Sequence, residues 1–503
     1  MATEREQELE KENAELREQL RMLTMTVNAL KARLFGSRTS EKLDPGQLEL
    51  LLGDFSTDQE EASEEAPLEE VKPHKWRKKS SGKPTVPDNV PVEERIEDPL
   101  EVQANPAAYR QIGQEVSEQL DYVPGHFILK RLVRRTWVLR DDPDATPLTA
   151  PLFKLWDRGF LAPGLQAQLI ISKYVDHLPL YRQEKIFRDR YGVHIPRQTM
   201  CRNVMKLADT LAPIVDEMQR EIFASAYVQA DETPVKYLQP GTGSAKKGYA
   251  WVFNAPELDT VFRWGPGRGS EVLQEHVPEH FVGVLQSDFW VAYTTFAEGR
   301  DHVELQACWA HVRRRFFEAL EGKEAVKRSG WIIHQIGLLY AIESRLRESR
   351  AGPSLREAVR QSESLPIIRR LTSCFKKLLV STKHRPTSLM GKALAYGYKL
   401  RDRLDGYTDD GAYEIDNNLA ENAVRPLGLG RKNWMFFGSE AAGHQSAILY
   451  SLVYSCQKRG IEPYAYLKDV LTRLATISKD ELKNLTPRRW AEARATEELK
   501  KLA

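Results

Sequence analysis

The chain has 503 residues, 41% hydrophobic and 29% charged, which leaves room for about three or four domains at ~150 residues each. No uninterrupted apolar run approaches the ~20 residues that cross a bilayer, and the opening MATEREQELEKENAE has no secretory core, so a soluble cytoplasmic protein without a membrane partner is expected. Four scattered cysteines (Cys201, Cys308, Cys374, Cys456) exclude a disulfide framework, and a net charge of +2 is too small to announce nucleic-acid binding by itself.

At the amino terminus Leu9, Asn13, Leu16, Leu20, Leu23, Val27, Leu30 and Leu34 alternate steps of four and three. This is an a/d seam, and it predicts a leucine-zipper-like coiled coil over 1–36, ending near Gly36. Asn13 in the a set favours a parallel dimer, so a homodimer or higher oligomer is expected; the plainer alternative is an amphipathic helix on its own core. Residues 37–98 read as a largely disordered linker. There Asp58 to Glu70 holds seven acids and no base, and Lys72 to Lys83 six bases and no acid. The basic half is either a flexible arm for phosphates or an inert spacer. Residues 99–151 form a small basic β-containing module, whose HFILKRLVRRTWVLR reads as a strand or hairpin with five basic side chains.

A helical region follows over 152–222. Leu165 to His177 and Leu180 to Arg190 are two helical patterns, Tyr191 to Ile195 is a turn, and Pro196 to Leu211 is a third helix. The layout is that of a helix-turn-helix. Its last helix presents Arg197, Gln198, Thr199, Arg202 and Asn203, side chains that meet phosphates and base edges, although helix-Gly-helix patterns also occur in plain bundles.

The chemistry lies further on. Ala226 to Ala230 is a strand ending at Asp231, GYAWVFN and TVFRW are two more, Ser270 to His280 is a helix, GVLQSD is a strand ending at Asp288, and Val303 to Ala310 is a fifth. That order is RNase H-like, over 223–317, and neighbouring strands can bring Asp231 and Asp288 together. A third hard-oxygen ligand is needed to hold two divalent cations for phosphoryl transfer. Glu421 is the candidate, on a helix that Asp416 is placed to cap, with Arg425, Arg431 and Lys432 following to hold phosphates. The acids are 57 and 133 residues apart (288 − 231 and 421 − 288). The longer gap contains helical periodicity, such as Ile332, Ile336, Leu339, Ile342 and Leu346, and predicts an inserted all-helical domain over 318–410. The final helix of the core and a C-terminal region occupy 411–480, and 481–503 is a tail.

The fragments LFGSRTSEKL, GQEVSEQLDYVPGHF, SKYVDHLPLYRQEKIF, ADETPV, LQSD, ACWAHVRRRFFEAL and EIDNNLAENAVRPLGLGRKNWMFFGSEAAG run through nearly the whole chain in order. Together they resemble the transposases of the IS66 insertion-sequence family, bacterial DDE enzymes with an inserted helical domain. The resemblance implies that Asp231, Asp288 and Glu421 bind two magnesium ions, with manganese able to substitute. It implies transposon-end and target DNA as partners, nucleoid association, and small accessory proteins of the element. Cys308 and His311 match a Cys-x-x-His signature near the second acid; for Cys308 a packing role is favoured. One departure concerns EVQANPAAYRQIGQ and WVLRDDPDATPL, where family members carry a cysteine zinc motif. Here both stretches lack Cys, so the zinc-finger-like module has no thiolates and no zinc is expected. Two other readings are a DNA-binding regulator without chemistry and a general RNase H-fold nuclease; three acids flanked by Arg and Lys argue against the first, the zipper and insertion against the second.

Overall fold

A computed structural model describes residues 125–137, 148–149, 154–156, 159–239, 244–322, 325–381 and 384–502. The expected coiled coil and linker lie outside the described residues, as does most of 99–151. The chain divides after Gly125 into two units, and the described strands and helices belong to the second.

Within HFILKRLVRRTWVLR only Thr136–Trp137 is described as strand, paired antiparallel with Leu148–Thr149. Ile128, Leu129, Leu132 and Val133 stand exposed, while Phe127 packs edge-on against Phe187 and Tyr191.

Three helices follow: α1 (Pro163–Tyr174), α2 (Leu180–Tyr191) and α3 (Arg197–Phe223). Gly192, at φ 66°, ends α2 and returns its N–H to Arg188 and Phe187, the left-handed stop that glycine takes without strain. α3 runs a dozen residues beyond the Leu211 expected from sequence, through Pro213. An internal proline costs about 3 kcal/mol. Beyond it Ile214, Val215, Met218 and Ile222 are completely buried, each worth ~1.5–3 kcal/mol, so the apolar stripe outweighs the break.

The central sheet holds β1 (Tyr227–Leu238), β2 (Ala245–Asn254), β3 (Thr260–Gly265), β4 (Gly283–Ser287) and β5 (Val303–Ala307), in the order β3-β2-β1-β4-β5. β1, β2 and β3 are antiparallel; β4 joins β1 and β5 joins β4 in parallel, making a mixed sheet. Short helices α4 (Ser270–His276) and α5 (Val291–Ala297) connect the later strands. The β3 edge is covered by α12 (Glu440–Lys458), whose Ser451 and Ser455 hydroxyls accept the backbone N–H groups of Phe262 and Thr260 at 2.8 and 2.9 Å. This satisfies donors that an open edge would expose. Close approach requires Gly443, where an added Cβ would lie 2.5 Å from the Trp264 ring.

After β5 the chain enters helices α6 (Trp309–Glu321), α7 (Val326–Glu348), α8 (Pro353–Val359), a π-helical turn (Arg360–Ser364), α9 (Leu365–Val380) and α10 (Leu389–Lys399). Of these, α6, α7, α9 and α10 share a core built on Trp309, Phe316, Ile336, Leu371, Phe375 and Leu394. The chain then returns to the sheet through α11 (Asn418–Trp434), and β6 (Phe436–Phe437) pairs parallel with the end of β1. α13 (Pro463–Arg473) and α14 (Pro487–Leu502) complete the chain.

One row of buried polar side chains crosses β3, β2, β1, β4 and β5 in register: Thr260, Asn254, Gln229, Gln286 and Gln306. Thr260 Oγ1 donates to Asn254 Oδ1 at 2.7 Å, Asn254 Nδ2 to Gln229 Oε1 at 3.0 Å, and Gln229 Nε2 to Gln286 Oε1 at 2.8 Å. The row also grips the segment ahead of α11. Gln229 Nε2 donates to the Asp416 carbonyl at 2.9 Å, and Gln286 and Gln306 both donate to the Glu414 carbonyl, at 2.9 and 2.8 Å. Gln229→Leu therefore orphans the Asn254 amide and the Asp416 carbonyl at once. Each buried unpaired group costs about 1–3 kcal/mol. Urea unfolding should show a loss of roughly 2 kcal/mol or more, and an unchanged midpoint would mean that the row carries no stability.

Candidate active site

Asp231 lies in the middle of β1 rather than at a strand end, and Asp288 directly follows β4. The parallel register pairs residues 57 apart, Tyr227 with Val284 through Gln229 with Gln286, and Asp231 and Asp288 are also 57 apart (284 − 227 and 288 − 231). The two acids are thus level across adjacent strands, just past the last paired residues. Phe289 takes a left-handed φ of 62° immediately after Asp288, and the Trp290 N–H closes back on Asp288 Oδ1 at 2.9 Å. Tyr396 of α10 donates its hydroxyl to the Asp288 carbonyl at 3.1 Å, so the helices between β5 and α11 touch this turn directly.

Glu421 sits in the first turn of α11, which packs across β1 and β2. Asn417 caps the helix by position, and its Nδ2 donates to the Ala230 carbonyl at 2.8 Å, fixing the helix start to the residue before Asp231. Asp416, expected as the cap itself, stands one residue further out. Its carboxylate accepts the Asn418 N–H at 3.1 Å and the Asn418 Nδ2 at 2.7 Å, so it still serves the helix end.

The charges of these groups act on one another. Asp231 is held well above the usual carboxylate range, first by burial and then by the charges of Glu232, Glu421 and Asp288. Arg268 bridges Asp288 (3.5 Å) and Glu232, and Glu232 also accepts the Tyr293 hydroxyl at 2.7 Å. Glu421 has His311 Nδ1 at 3.5 Å and Arg314 at 3.7 Å. Burial lowers the His311 pKa against the pull of Glu421. Asp288 and Glu421 are therefore drawn toward opposite basic partners. Among the described residues the ligand atoms gathered within 4.8 Å of one another belong to Cys308, His311 and Glu421, not to the three acids. The acids nonetheless supply hard oxygens of one charge around a buried Asp231, a set that fits divalent magnesium.

A carboxyl whose pKa is raised in the folded chain favours folding at low pH, and that contribution is lost as pH rises from the unfolded value, near the ordinary 3.8, through the folded one. In EDTA at pH 7, Asp231→Asn should therefore raise Tm, with a gain on the order of 1–2 kcal/mol. The difference should vanish below the ordinary value, where the parent carboxyl is protonated in both states. Calorimetry showing no gain at pH 7 contradicts this.

Of the other expected residues, Arg197, Gln198 and Arg202 are exposed at the start of α3, and Asn203 is half-buried with its amide oxygen turned inward. Arg425 and Lys432 are exposed, and at i+4 and i+11 they share the helical stripe of Glu421. Arg431 is half-buried and donates to the Pro234 carbonyl, which ties α11 to β1 rather than to solvent. Cys308 is buried at the position before α6, and its Sγ accepts the Asn417 N–H at 3.2 Å. Sequence reasoning missed Arg268, Arg314 and Trp290. Trp290 is exposed beside Asp288, with the Arg268 guanidinium 4.1 Å from its ring centre. Arg314 could have been found from its place one turn after the Cys-x-x-His; Arg268, in a Gly-rich turn, carries no such signal.

The family model described as "Transposase IS66 family" matches residues 158–445, which include all three acids. "IS66 C-terminal element" matches 451–487, and "Transposase C of IS166 homeodomain" matches 22–95. Similar proteins include two from Sinorhizobium fredii. "Uncharacterized protein y4qI" is 32% identical over 401 residues, covering 76% of this chain and 73% of the relative. "Uncharacterized protein y4jD" is 30% identical over 504 residues, covering 94% and 96%. No helix among the described residues is long and apolar enough to cross a membrane.

Proposed function

The chain belongs to the IS66 family of transposases, and on that premise we propose that it cuts the ends of an insertion sequence and joins them to new DNA through a DDE-type site on an RNase H-like core. The observation that carries this is the register that sets Asp231 level with Asp288, together with a helix start pinned beside Asp231 that delivers Glu421. Strand order β3-β2-β1-β4-β5, with the first three strands antiparallel and the last two parallel to β1, supports the RNase H-like reading.

Asp231, Asp288 and Glu421 would hold two magnesium ions, or manganese in their place. Bound there, the ions supply polarisation of the attacking oxygen and charge for the leaving oxygen. The protein's own groups position the DNA. Arg425 and Lys432 lie along the Glu421 stripe where a phosphate backbone would run, and Arg314 brings a further cation to the site. Water attacks in the first cut, and the freed 3′-hydroxyl attacks target DNA in the second. Residues 1–36, as a parallel coiled coil, would join two copies so that both ends are held in one complex. Small accessory proteins of the element would be further partners.

The start of α3 would read the element's ends. Arg197→Ala and Arg202→Ala should each weaken binding to end DNA by ~1–3 kcal/mol if they contact bases in bidentate fashion, and less, without sequence preference, if they meet only phosphates. Unchanged footprints in both variants would move recognition elsewhere.

Purified full-length chain with magnesium and a fragment carrying the element's ends provides the test. Cuts at the ends leaving 3′-hydroxyls are expected. Binding without cutting favours a regulator, and equal cutting of unrelated DNA favours a general nuclease.

A further inference from the structure

We propose that Cys308, His311 and Glu421 form a binding site for a thiophilic divalent cation such as zinc, distinct in ligand chemistry from the magnesium site and sharing one carboxylate with it. Cys308 is the residue before α6 and His311 lies in that helix's first turn, so the Cys-x-x-His spacing puts both side chains at one helix end. Glu421 reaches them from the first turn of α11. One sulfur, one imidazole nitrogen and one carboxylate oxygen all lie within 4.8 Å of one another. Ligands on a tetrahedral zinc, at about 2.3 Å for sulfur and 2.0–2.2 Å for nitrogen or oxygen, are separated by roughly 3.5 Å, so a small inward movement completes three of four positions.

Two further observations point to a ligand there. His311 Nδ1 and Glu421 Oε1 are both buried and make no hydrogen bond among the described residues, although they are 3.5 Å apart. Burial holds the Cys308 thiol well above its ordinary range, and the Asn417 N–H donated to its sulfur at 3.2 Å is the contact that favours the thiolate once a metal displaces the proton. On binding, the thiol proton leaves to solvent as the metal–sulfur bond forms, and a water takes the fourth position. Sulfur and imidazole favour zinc or cobalt over magnesium, which takes hard oxygens. The sequence expectation of no zinc rested on the absence of paired cysteines and did not reach a carboxylate supplied from far along the chain.

The consequence for catalysis rests on the proposed transposase reading: a Glu421 engaged by zinc is withheld from Asp231 and Asp288, so zinc should act as an inhibitor. The binding itself does not depend on that reading and is tested with cobalt as the probe. Titrating metal-free full-length protein with Co²⁺ should give a thiolate-to-cobalt charge-transfer band with a tetrahedral visible spectrum. Cys308→Ser should abolish the band while keeping Cys201, Cys374 and Cys456. His311→Gln, at a partly exposed position, should fold normally and weaken cobalt binding by more than about 100-fold, beyond the loss typical of an outer-shell change. No band in the parent, or a band that survives Cys308→Ser, overturns the site. In the cleavage assay, equimolar zinc should reduce parent cutting more than about tenfold, while the ratio with and without zinc in Cys308→Ser stays near one. Equal inhibition of both overturns the competition. A parent that never cuts with magnesium refutes the transposase reading and leaves the cobalt spectrum to decide the site.

Discussion

Glu421→Gln is expected to lower magnesium-dependent cutting of end DNA by a thousandfold or more, about 4 kcal/mol of transition-state stabilisation, while end binding survives. The substitution keeps shape and helix position and removes one charge from the set that surrounds Asp231. Asp231→Asn and Asp288→Asn should behave alike. Asp416→Asn is the control. Its carboxylate serves the Asn418 N–H and amide, so its loss should cost only about 1 kcal/mol of helix stability, and some cutting should remain. Glu232→Gln should also retain some cutting, but it is a less clean control. Glu232 alternates to the other face of β1 yet shares Arg268 with Asp288, so losing its charge frees Arg268 to bear harder on a metal-binding acid. Single-turnover cleavage with a gel-shift control measures all five variants. Wild-type cutting by Glu421→Gln would remove Glu421 from the site.

The second large effect lies away from the acids. Arg360 and Glu343 are both fully buried and joined by two hydrogen bonds of 2.7 and 2.8 Å, and Arg360 also donates to the Tyr407 and Asp410 carbonyls at 3.0 Å each. Among the described residues, removing Arg360 leaves the buried Glu343 carboxylate with Arg356 alone, at 3.4 Å, and removing Glu343 takes the one carboxylate from the buried Arg360. Arg360→Met should therefore destabilise the chain by about 3–5 kcal/mol, and pairing it with Glu343→Leu should recover part of that loss. Recovery stays incomplete because the Tyr407 carbonyl loses its donor, whereas the Asp410 carbonyl keeps the Tyr413 N–H at 3.2 Å. The ordered loop leads directly to Glu414, which Arg347 and Arg356 each hold at 3.1 Å, so the same substitution should loosen the approach to α11 and slow cutting. Denaturant unfolding showing less than about 1 kcal/mol of change contradicts a structural role of that size.

The contrast between these two sites explains what was legible in the sequence. The acids stood out because strands, helix and strands alternate around them and because hard ligands are needed in threes. β1 is expected from sequence to end at Asp231, but it continues through Pro234 to Leu238. Pro234 is tolerated there because β4 pairing ends at Gln229 and β6 joins only at Lys236, leaving one side of the strand without a partner in between. The third helix is expected from sequence to end at Leu211, yet α3 continues through Pro213 to Phe223 because its apolar face outweighs the local propensity. The polar row Thr260–Asn254–Gln229–Gln286–Gln306 was invisible. Its members are ordinary amides and a hydroxyl on separate strands, and only register brings them level. The buried Arg360–Glu343 pair likewise reads as one more Arg and Glu on helices that sequence would solvate. The amino-terminal heptads lie outside the described residues.

All of the proposed chemistry depends on Asp231, Asp288 and Glu421 converging on two divalent cations. Anomalous diffraction from crystals of the full-length chain with end DNA, soaked in manganese, measures this directly. Two peaks about 3.5–4 Å apart, with oxygens of all three carboxylates coordinated, are expected. A metal pair that leaves Glu421 uncoordinated, or no peak beside Asp231 and Asp288, would contradict the assignment.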